Sequence, residues 1–384
     1  MQFEFATATR IIFGRGTAGR TAALVGKMGR RAFLITGASV NRARPLIDQL
    51  EDVGLKVTPF SIPGEPTTQL ALAAVEEARR QNSDVVVGMG GGSVLDTGKV
   101  VAALLTNNGQ LMDYLEVIGQ GRPLKQKSSP FVAIPTTSGT GTEVTSNSVL
   151  ASPEHRVKVS MRSPYMLPDV ALIDPELTYS MPPGITAFTG LDAFTQLLEA
   201  FVSAYANPLT DGICREGLRR AAGSLKRAYL DGNDRSARRD MCLASLFGGL
   251  ALANAKLGAV HGFAGPLGGM YHAPHGALCA ALLPAVMEVN VMALKHSGSA
   301  DRAIERYDEV ARLVTGLPGA RSEDGIAWIR SLCKQLMIRP LAAYGVGEKD
   351  FEDIAVKAGR ASSMRGNPVE LDQEALLKIL EMSL

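Results

Sequence analysis

Three of the five histidines in this chain, His261, His272 and His275, fall within the stretch AVHGFAGPLGGMYHAPHGALCA, residues 259–280. Imidazole is the side chain best suited to ligate a metal or carry a proton near neutral pH. A lone histidine is more often a packed or surface residue. Three close together, beside Pro274 and Gly276 that mark a helix start, shift the balance towards a site. Asp192 and Gln196 of GLDAFTQLLEA are four residues apart and share one helix face, although nothing in the sequence by itself ties that face to the histidines. A second chemistry is suggested by DVVVGMGGGSVLDTGKVVA, where Gly88, Gly90, Gly91, Gly92 and Ser93 stand between an apolar strand and a helix. Glycines there let the backbone approach a pyrophosphate, and the unpaired amides of the helix start supply donors. The spacing is neither the common dinucleotide fingerprint nor a P-loop, and a tight turn without a ligand is the plain alternative. A further loop, IPTTSGTGTEVTSNS, crowds Thr136, Thr137, Ser138 and Thr140 at the carboxyl end of a strand, where ligands of open α/β sheets sit.

The elements that must position these residues are of two kinds. RAFLITG, KVTPFSI, DVVVGMG and PFVAIPTT read as buried strands, and ARPLIDQLEDVG, TQLALAAVEEARRQN and the segment after the glycine cluster read as helices between them. Apolar strands alternating with helices predict a parallel sheet covered on both faces. From about residue 185 the texture changes to long helical patterns such as DAFTQLLEAFVSAYA, MCLASLFGGLALANA and CAALLPAVMEVNVMAL, so the second half reads as all helical. The run Met181-Pro-Pro-Gly184 is a natural boundary, because proline halts both neighbouring patterns. The division is therefore an α/β domain over 1–182 and a helical domain over 183–384.

Composition narrows the function. The chain has 384 residues, 46% hydrophobic and 20% charged, the balance of a soluble globular protein with a substantial core. Forty Lys and Arg against 38 Asp and Glu leave a formal charge of +2 spread along the chain, which offers no footprint for nucleic acid. The four cysteines are widely spaced, as expected of free thiols in a reducing, cytoplasmic setting. The N-terminus MQFEFATATRIIFGRG alternates like a strand rather than a signal peptide, and no segment is expected to supply a membrane span.

GMGGGSVLDTGK, IPTTSGTGTEVT, LPDVALIDPELT, TGLDAFTQLLEA and GAVHGFAGPLGGMYHAPHGA occur in an order and at separations that resemble those of the iron-containing (group III) alcohol dehydrogenases. The resemblance covers most of the chain and weakens after about residue 290. It implies an N-terminal dinucleotide-binding α/β domain with a parallel sheet, followed by an all-α C-terminal domain of the dehydroquinate-synthase-like type. It also implies an NAD(P)-dependent oxidoreductase that interconverts a small alcohol and its aldehyde or ketone, with a divalent metal, Fe2+ or Zn2+, as Lewis acid on the substrate oxygen.

Carried over position by position, the family's four metal ligands fall on Asp192, Gln196, His261 and His275, with glutamine standing where the family usually has histidine. A neutral amide oxygen is a weaker partner than imidazole, so metal affinity should fall. A further family histidine falls on Gly265, and the additional His272 is a candidate catalytic residue that could compensate as ligand or proton carrier, alongside His261 and His275. The pyrophosphate cradle falls on Gly90, Gly91, Gly92, Ser93 and Asp96, and Thr136, Thr137, Thr140 and Lys158 should lie along the cofactor nearer its reactive end. Asn147 and Leu252 are candidates for the substrate pocket, and Glu65 replaces a common asparagine. NAD-specific members carry an acidic residue where this chain has Gly37; with Ala38 and Ser39 beside it and Arg42 or Arg44 in reach, the reading favours NADP over NAD. A homodimer is the family's default. The runner-up function is a metal-independent, maleylacetate-reductase-like reductase of an oxo-acid, and from another class a catalytically silent nucleotide-binding protein.

Overall fold

The computed structural model describes residues 2–271, 273–297 and 301–384. Two compact units divide the chain, one of Ala6–Thr137 and Gly141–Thr178, the other of Tyr179–Leu384 with Ser138–Thr140 and the N-terminal residues up to Phe5.

The first unit runs β1 (Arg10–Phe13), α1 (Thr21–Val25), β2 (Arg31–Thr36), α2 (Arg44–Asp52), β3 (Lys56–Ser61), α3 (Thr68–Arg80), β4 (Val85–Gly90), α4 (Gly92–Thr106), α5 (Leu111–Tyr114), β5 (Phe131–Pro135), β6 (Asn147–Ser152), β7 (Val157–Arg162) and β8 (Val170–Ile173). Six strands form one parallel sheet in the order β1-β8-β5-β4-β2-β3. Successive residues of β2 serve opposite cores: Phe33 and Ile35 pack with Val75, Val100 and Leu104 of α3 and α4, while Ala32 and Leu34 pack with Val25, Leu46 and Leu50 of α1 and α2. Covering both faces explains why these strands read as continuous apolar runs. The chain passes from β2 to β3 on one side and returns to β4 on the other, so the sheet reverses direction between β2 and β4. Crevices outside the carboxyl ends of strands at such a reversal are where open α/β sheets bind ligands.

Two features of this unit depart from the sequence reading. The alternation of the N-terminal stretch yields pairing only over Arg10–Phe13, against β8. The Ser/Thr-rich segment after β5 leads into an antiparallel hairpin, β6 with β7, absent from the sequence reading. Buried Lys99 of α4 anchors this hairpin, donating to Thr145 Oγ1 at 2.7 Å and to the Asn147 carbonyl at 2.7 Å.

The second unit is helical: α6 (Pro183–Val202), α7 (Pro208–Leu230), α8 (Arg235–Ala255), α9 (Ala259–Met270), α10 (His275–Ser297), α11 (Asp301–Thr315), α12 (Ser322–Gln335), α13 (Phe351–Arg360) and α14 (Gln373–Ser383). One core joins them, with Phe194, Leu197 and Phe201 of α6 among its buried residues. Arg238, only 2% exposed, fixes the start of α6 by donating to Thr186 Oγ1 and the Met181 carbonyl. Between α8 and α9 the chain turns through 99°, and Lys256 at the break takes φ 61°. The expectation that no segment is apolar enough for a membrane span is corrected by α10, which passes by length and composition; 72% of its apolar window is buried inside the protein, as in a core helix.

Candidate functional site

The glycine cluster sits at the sheet reversal. β4 ends at Gly90, Gly91 caps α4, and the amides of Gly92 and Ser93 open that helix where no i−4 carbonyl reaches them. A side chain at Gly90 would come within 2.4 Å of Val94, so the strand-to-helix turn requires glycine there. The neighbouring loop is tied to it: the Thr136 amide donates to the Gly90 carbonyl at 2.9 Å, and Thr137 Oγ1 lies 3.3 Å from the position a Cβ on Gly91 would take. Across the reversal, Gly37 follows β2, its carbonyl accepting from Ser61 Oγ at 2.9 Å, and Ala38 and Ser39 are exposed. Gly37, Ala38 and Ser39 thus follow β2, and Gly91 to Ser93 follow β4, the two strands on either side of the reversal.

Other candidates have different settings. Asp96 is buried, accepts from the Val149 amide at 3.1 Å and lies 3.8 Å from Lys99, so its carboxylate braces α4 against the hairpin. Burial, only partly offset by Lys99, pushes the Asp96 carboxyl up to about 6. Lys158 of β7 pairs with Glu65 at 2.7 Å. Thr140 belongs to the helical unit and Thr136 and Thr137 to the α/β unit. Asn147 lies in β6 and Leu252 in α8. His272 lies outside the described residues.

The helical unit brings Asp192, His261 and His275 together. Asp192 on α6 is 2% exposed; its Oδ1 lies 3.3 Å from His261 Nε2 on α9 and 3.8 Å from His275 Nε2 at the start of α10. The imidazole rings are 5.4 Å apart between centroids. Gly276 permits this approach, since a Cβ there would meet the Phe188 carbonyl oxygen of α6 at 2.4 Å. Glu199, two turns after Asp192 on the same helix, orients His261: Oε2 accepts from Nδ1 at 2.6 Å, and Oε1 accepts from the Val260 amide at 2.6 Å. A carboxylate can only accept, so Nδ1 carries a hydrogen, while Nε2 faces Asp192 Oδ1.

That arrangement sets two buried carboxylates, Asp192 and Glu199, against the imidazoles. Asp192 Oδ1 is fully buried and has no hydrogen-bond donor, and among the described residues Asp192 and Glu199 have only imidazoles as ion-pair partners. Buried acceptors are expected to be satisfied, by a protonated neighbour or by a cation, which makes this cluster a candidate metal site. Burial opposes protonation of His261, but Cys279, Glu199 and Asp192 around it outweigh burial and hold its pKa well above the usual imidazole value. Burial also acts to raise Asp192, yet the two imidazoles draw its carboxyl below the usual range.

Sequence reasoning missed two members of this cluster. Glu199 shares the helical face of Asp192 at i+7, a signal present in GLDAFTQLLEA. Cys279 follows His275 by one turn, and its Sγ lies 3.6 Å from His275 Nε2 and 3.9 Å from His261 Nε2. The donor atoms of Asp192, His261, His275 and Cys279 all lie within 4.8 Å of one another. Gln196 is buried with Oε1 lacking a donor; that oxygen stands 2.8 Å from where a Cβ on Gly248 of α8 would be. At Gly265, one turn after His261, a Cβ would meet nothing within 4 Å.

Two family models match end to end: iron-containing alcohol dehydrogenase over residues 8–175 and the C-terminal part of the Fe-containing alcohol dehydrogenase family over 186–384. The chain belongs to the iron-containing alcohol dehydrogenase family. Within it, the chain is 36% identical over 376 residues to alcohol dehydrogenase 4 of Saccharomyces cerevisiae (strain YJM789), covering 96% of this chain and 95% of that one. A crystal structure of 1,3-propanediol oxidoreductase superposes with a TM-score of 0.91 at 31% identity, covering 100% of both chains. Sulfoacetaldehyde reductase of Bifidobacterium kashiwanohense, solved in complex with NAD+, superposes with a TM-score of 0.88 at 29% identity, covering 100% of this chain and 99% of that one. This family member is therefore an oxidoreductase of the alcohol and aldehyde class, with a parallel α/β domain followed by a helical one.

Proposed function

We propose that this chain is an NAD(P)-dependent alcohol dehydrogenase or aldehyde reductase for a small substrate, assisted by a divalent cation held by Asp192, His261 and His275. The observation that carries the metal is the gathering of ligand atoms from Asp192, His261, His275 and Cys279 within 4.8 Å of one another, with buried Asp192 Oδ1 lying 3.3 Å and 3.8 Å from two imidazole Nε2 atoms. When bound, the nicotinamide supplies or accepts hydride and the cation supplies Lewis acidity toward the substrate oxygen.

The residues of the chain supply the rest. Glu199 locks the His261 ring and its tautomer, so Nε2 is free to bind without a rotational search. Asp192 contributes a single negative charge, and a divalent cation would displace any proton on the Nε2 atoms that bind it, so these three residues alone would leave a centre near +1. The His275 side chain, 34% exposed, marks the open edge of the cluster, whereas Asp192 and His261 are shielded from water at 3% and 8%.

For the cofactor, Gly92 and Ser93 amides and the α4 dipole suit a pyrophosphate. Absence of a carboxylate at Gly37, Ala38 and Ser39 supports NADP over NAD, because nothing there repels a 2′-phosphate. Arg44 is paired with Asp48 at 2.8 Å, while Arg42 lines, with Leu46, Met89 and Ile134, a cavity of about 140 Å³. Arg42 is the cation this reading assigns to the 2′-phosphate.

The test joins elemental analysis of protein purified without chelator to NADPH and NADH oxidation with a panel of small aldehydes. Metal with turnover supports the reading; turnover that survives full metal removal defeats the metal-assisted part; nucleotide binding without turnover defeats the enzymatic part.

A further inference from the structure

We propose that Cys279 is itself a metal ligand, its thiolate completing with Asp192, His261 and His275 a four-donor cage in which it takes the place of the Gln196 amide. The inference rests on the metal-assisted reading and adds the identity of the fourth donor. Cys279 is fully buried and follows His275 by four residues on α10, so both side chains project from one helix face. A tetrahedral centre with N and O donors at about 2.0–2.2 Å and sulfur at about 2.3 Å separates neighbouring donors by about 3.3–3.7 Å. The separations here are 3.3 Å and 3.8 Å from Asp192 Oδ1 to the imidazoles, and 3.6 Å and 3.9 Å from Cys279 Sγ to the imidazoles. Two of these fall within that range and two exceed it by about 0.1–0.2 Å, and all four donors lie within 4.8 Å of one another.

Two further observations point the same way. Asp192 Oδ1 is buried, without a well-aligned hydrogen-bond partner, in the same cluster of ligand atoms, so the cysteine does not stand alone as a site. Gln196 Oε1 packs against α8, 2.8 Å from where a Cβ on Gly248 would stand. Charge agrees with geometry. One carboxylate and one thiolate around a divalent ion give a neutral cage, which is cheaper to bury than the +1 centre left by a glutamine amide. A thiolate is also a softer donor than the imidazole usual in this family, and suits Zn2+ or Co2+ better than Fe2+. Binding exchanges the S–H bond for a sulfur–metal bond and releases one proton to solvent.

The test loads the chelator-stripped full chain with one equivalent of Co2+ and records its absorption. The expected spectrum combines visible d–d bands with a near-ultraviolet thiolate-to-cobalt charge-transfer band. Cys279→Ser should bind cobalt without that band, and Gln196→Ala should keep it. Bound cobalt with d–d bands but no charge-transfer band in the wild-type chain overturns the thiolate ligand while leaving the metal reading intact, as does a band that survives Cys279→Ser. A wild-type chain that takes up no cobalt overturns the metal reading and this inference with it. Absence of the band in the wild-type chain overturns the proposal by itself, and Cys279→Ala, which should also lose the band, replaces Cys279→Ser if the serine variant misfolds.

Discussion

Glu199 holds the chain on both sides of one peptide link, taking the Val260 amide with one carboxylate oxygen and His261 Nδ1 with the other, each at 2.6 Å. Ring orientation and backbone position of the ligand are thereby set by a single buried side chain. Glu199→Ala should weaken metal binding by about 10–100-fold, the usual effect of losing an outer carboxylate. The unsatisfied Val260 amide should cost about 1–3 kcal/mol of stability besides. Chelator competition and thermal melts measure the two; unchanged metal affinity would show that the ring needs no such partner.

Asp192→Asn keeps the shape of the side chain and removes its charge. Metal affinity and kcat/KM should both fall by more than the ~10–100-fold expected for the outer carboxylate. Retention of full metal content after chelator-free purification would remove Asp192 from the ligand set.

The glycines of the site separate packing from propensity. Gly276→Ala drives a methyl against the Phe188 carbonyl oxygen at 2.4 Å and should cost about 1–3 kcal/mol while lowering metal affinity, because α10 must withdraw from α6. Gly265→Ala meets nothing within 4 Å and should be neutral or stabilise by up to about 1 kcal/mol through helix propensity. Melting curves of the two variants are expected to shift in opposite directions or by clearly different amounts.

Cofactor choice should respond to Gly37. No neighbouring atom lies within 4 Å of a Cβ at this position, so Gly37→Asp has room for its carboxylate. Charge repulsion with a 2′-phosphate and a hydrogen bond to a free ribose hydroxyl should raise the NADH to NADPH ratio of kcat/KM by about 10-fold or more. A ratio that stays put places the ribose elsewhere.

The α/β unit carries its own pH dependence. Burial raises the Glu143 carboxyl from 4.5 to about 7. With the folded pKa above the unfolded one, the folded state holds the extra proton between these values, and stability falls as pH rises from 4.5 to about 7. Glu143→Gln is neutral throughout, so its melting temperature relative to wild type should climb across that window. A constant offset between the two curves would show that Glu143 does not titrate there.

Most of the sheet was legible because its strands are buried on both faces and bounded by helical periodicity, as in β2 and β4. The β6–β7 hairpin was not, since a half-buried alternation beginning inside a Ser/Thr-rich loop looks like more loop. Asp192, His261 and His275 were named through resemblance, while spacing alone could not bring α6 to α10. That approach depends on Gly276 lacking a side chain, a tertiary fact. Glu199 and Cys279 lay in the motifs, at i+7 and i+4 from recognised residues, but a buried glutamate and a buried thiol are chemically ambiguous until their neighbours are known.

The mostly buried helix α10 begins with His275 and carries Cys279 one turn later, so the element that closes the hydrophobic interior also carries two of the four candidate donors. A bound cation would then be worth RT ln(1 + [M]/Kd) to the native state, and heat resistance becomes a gauge of how fully the protein is charged with metal.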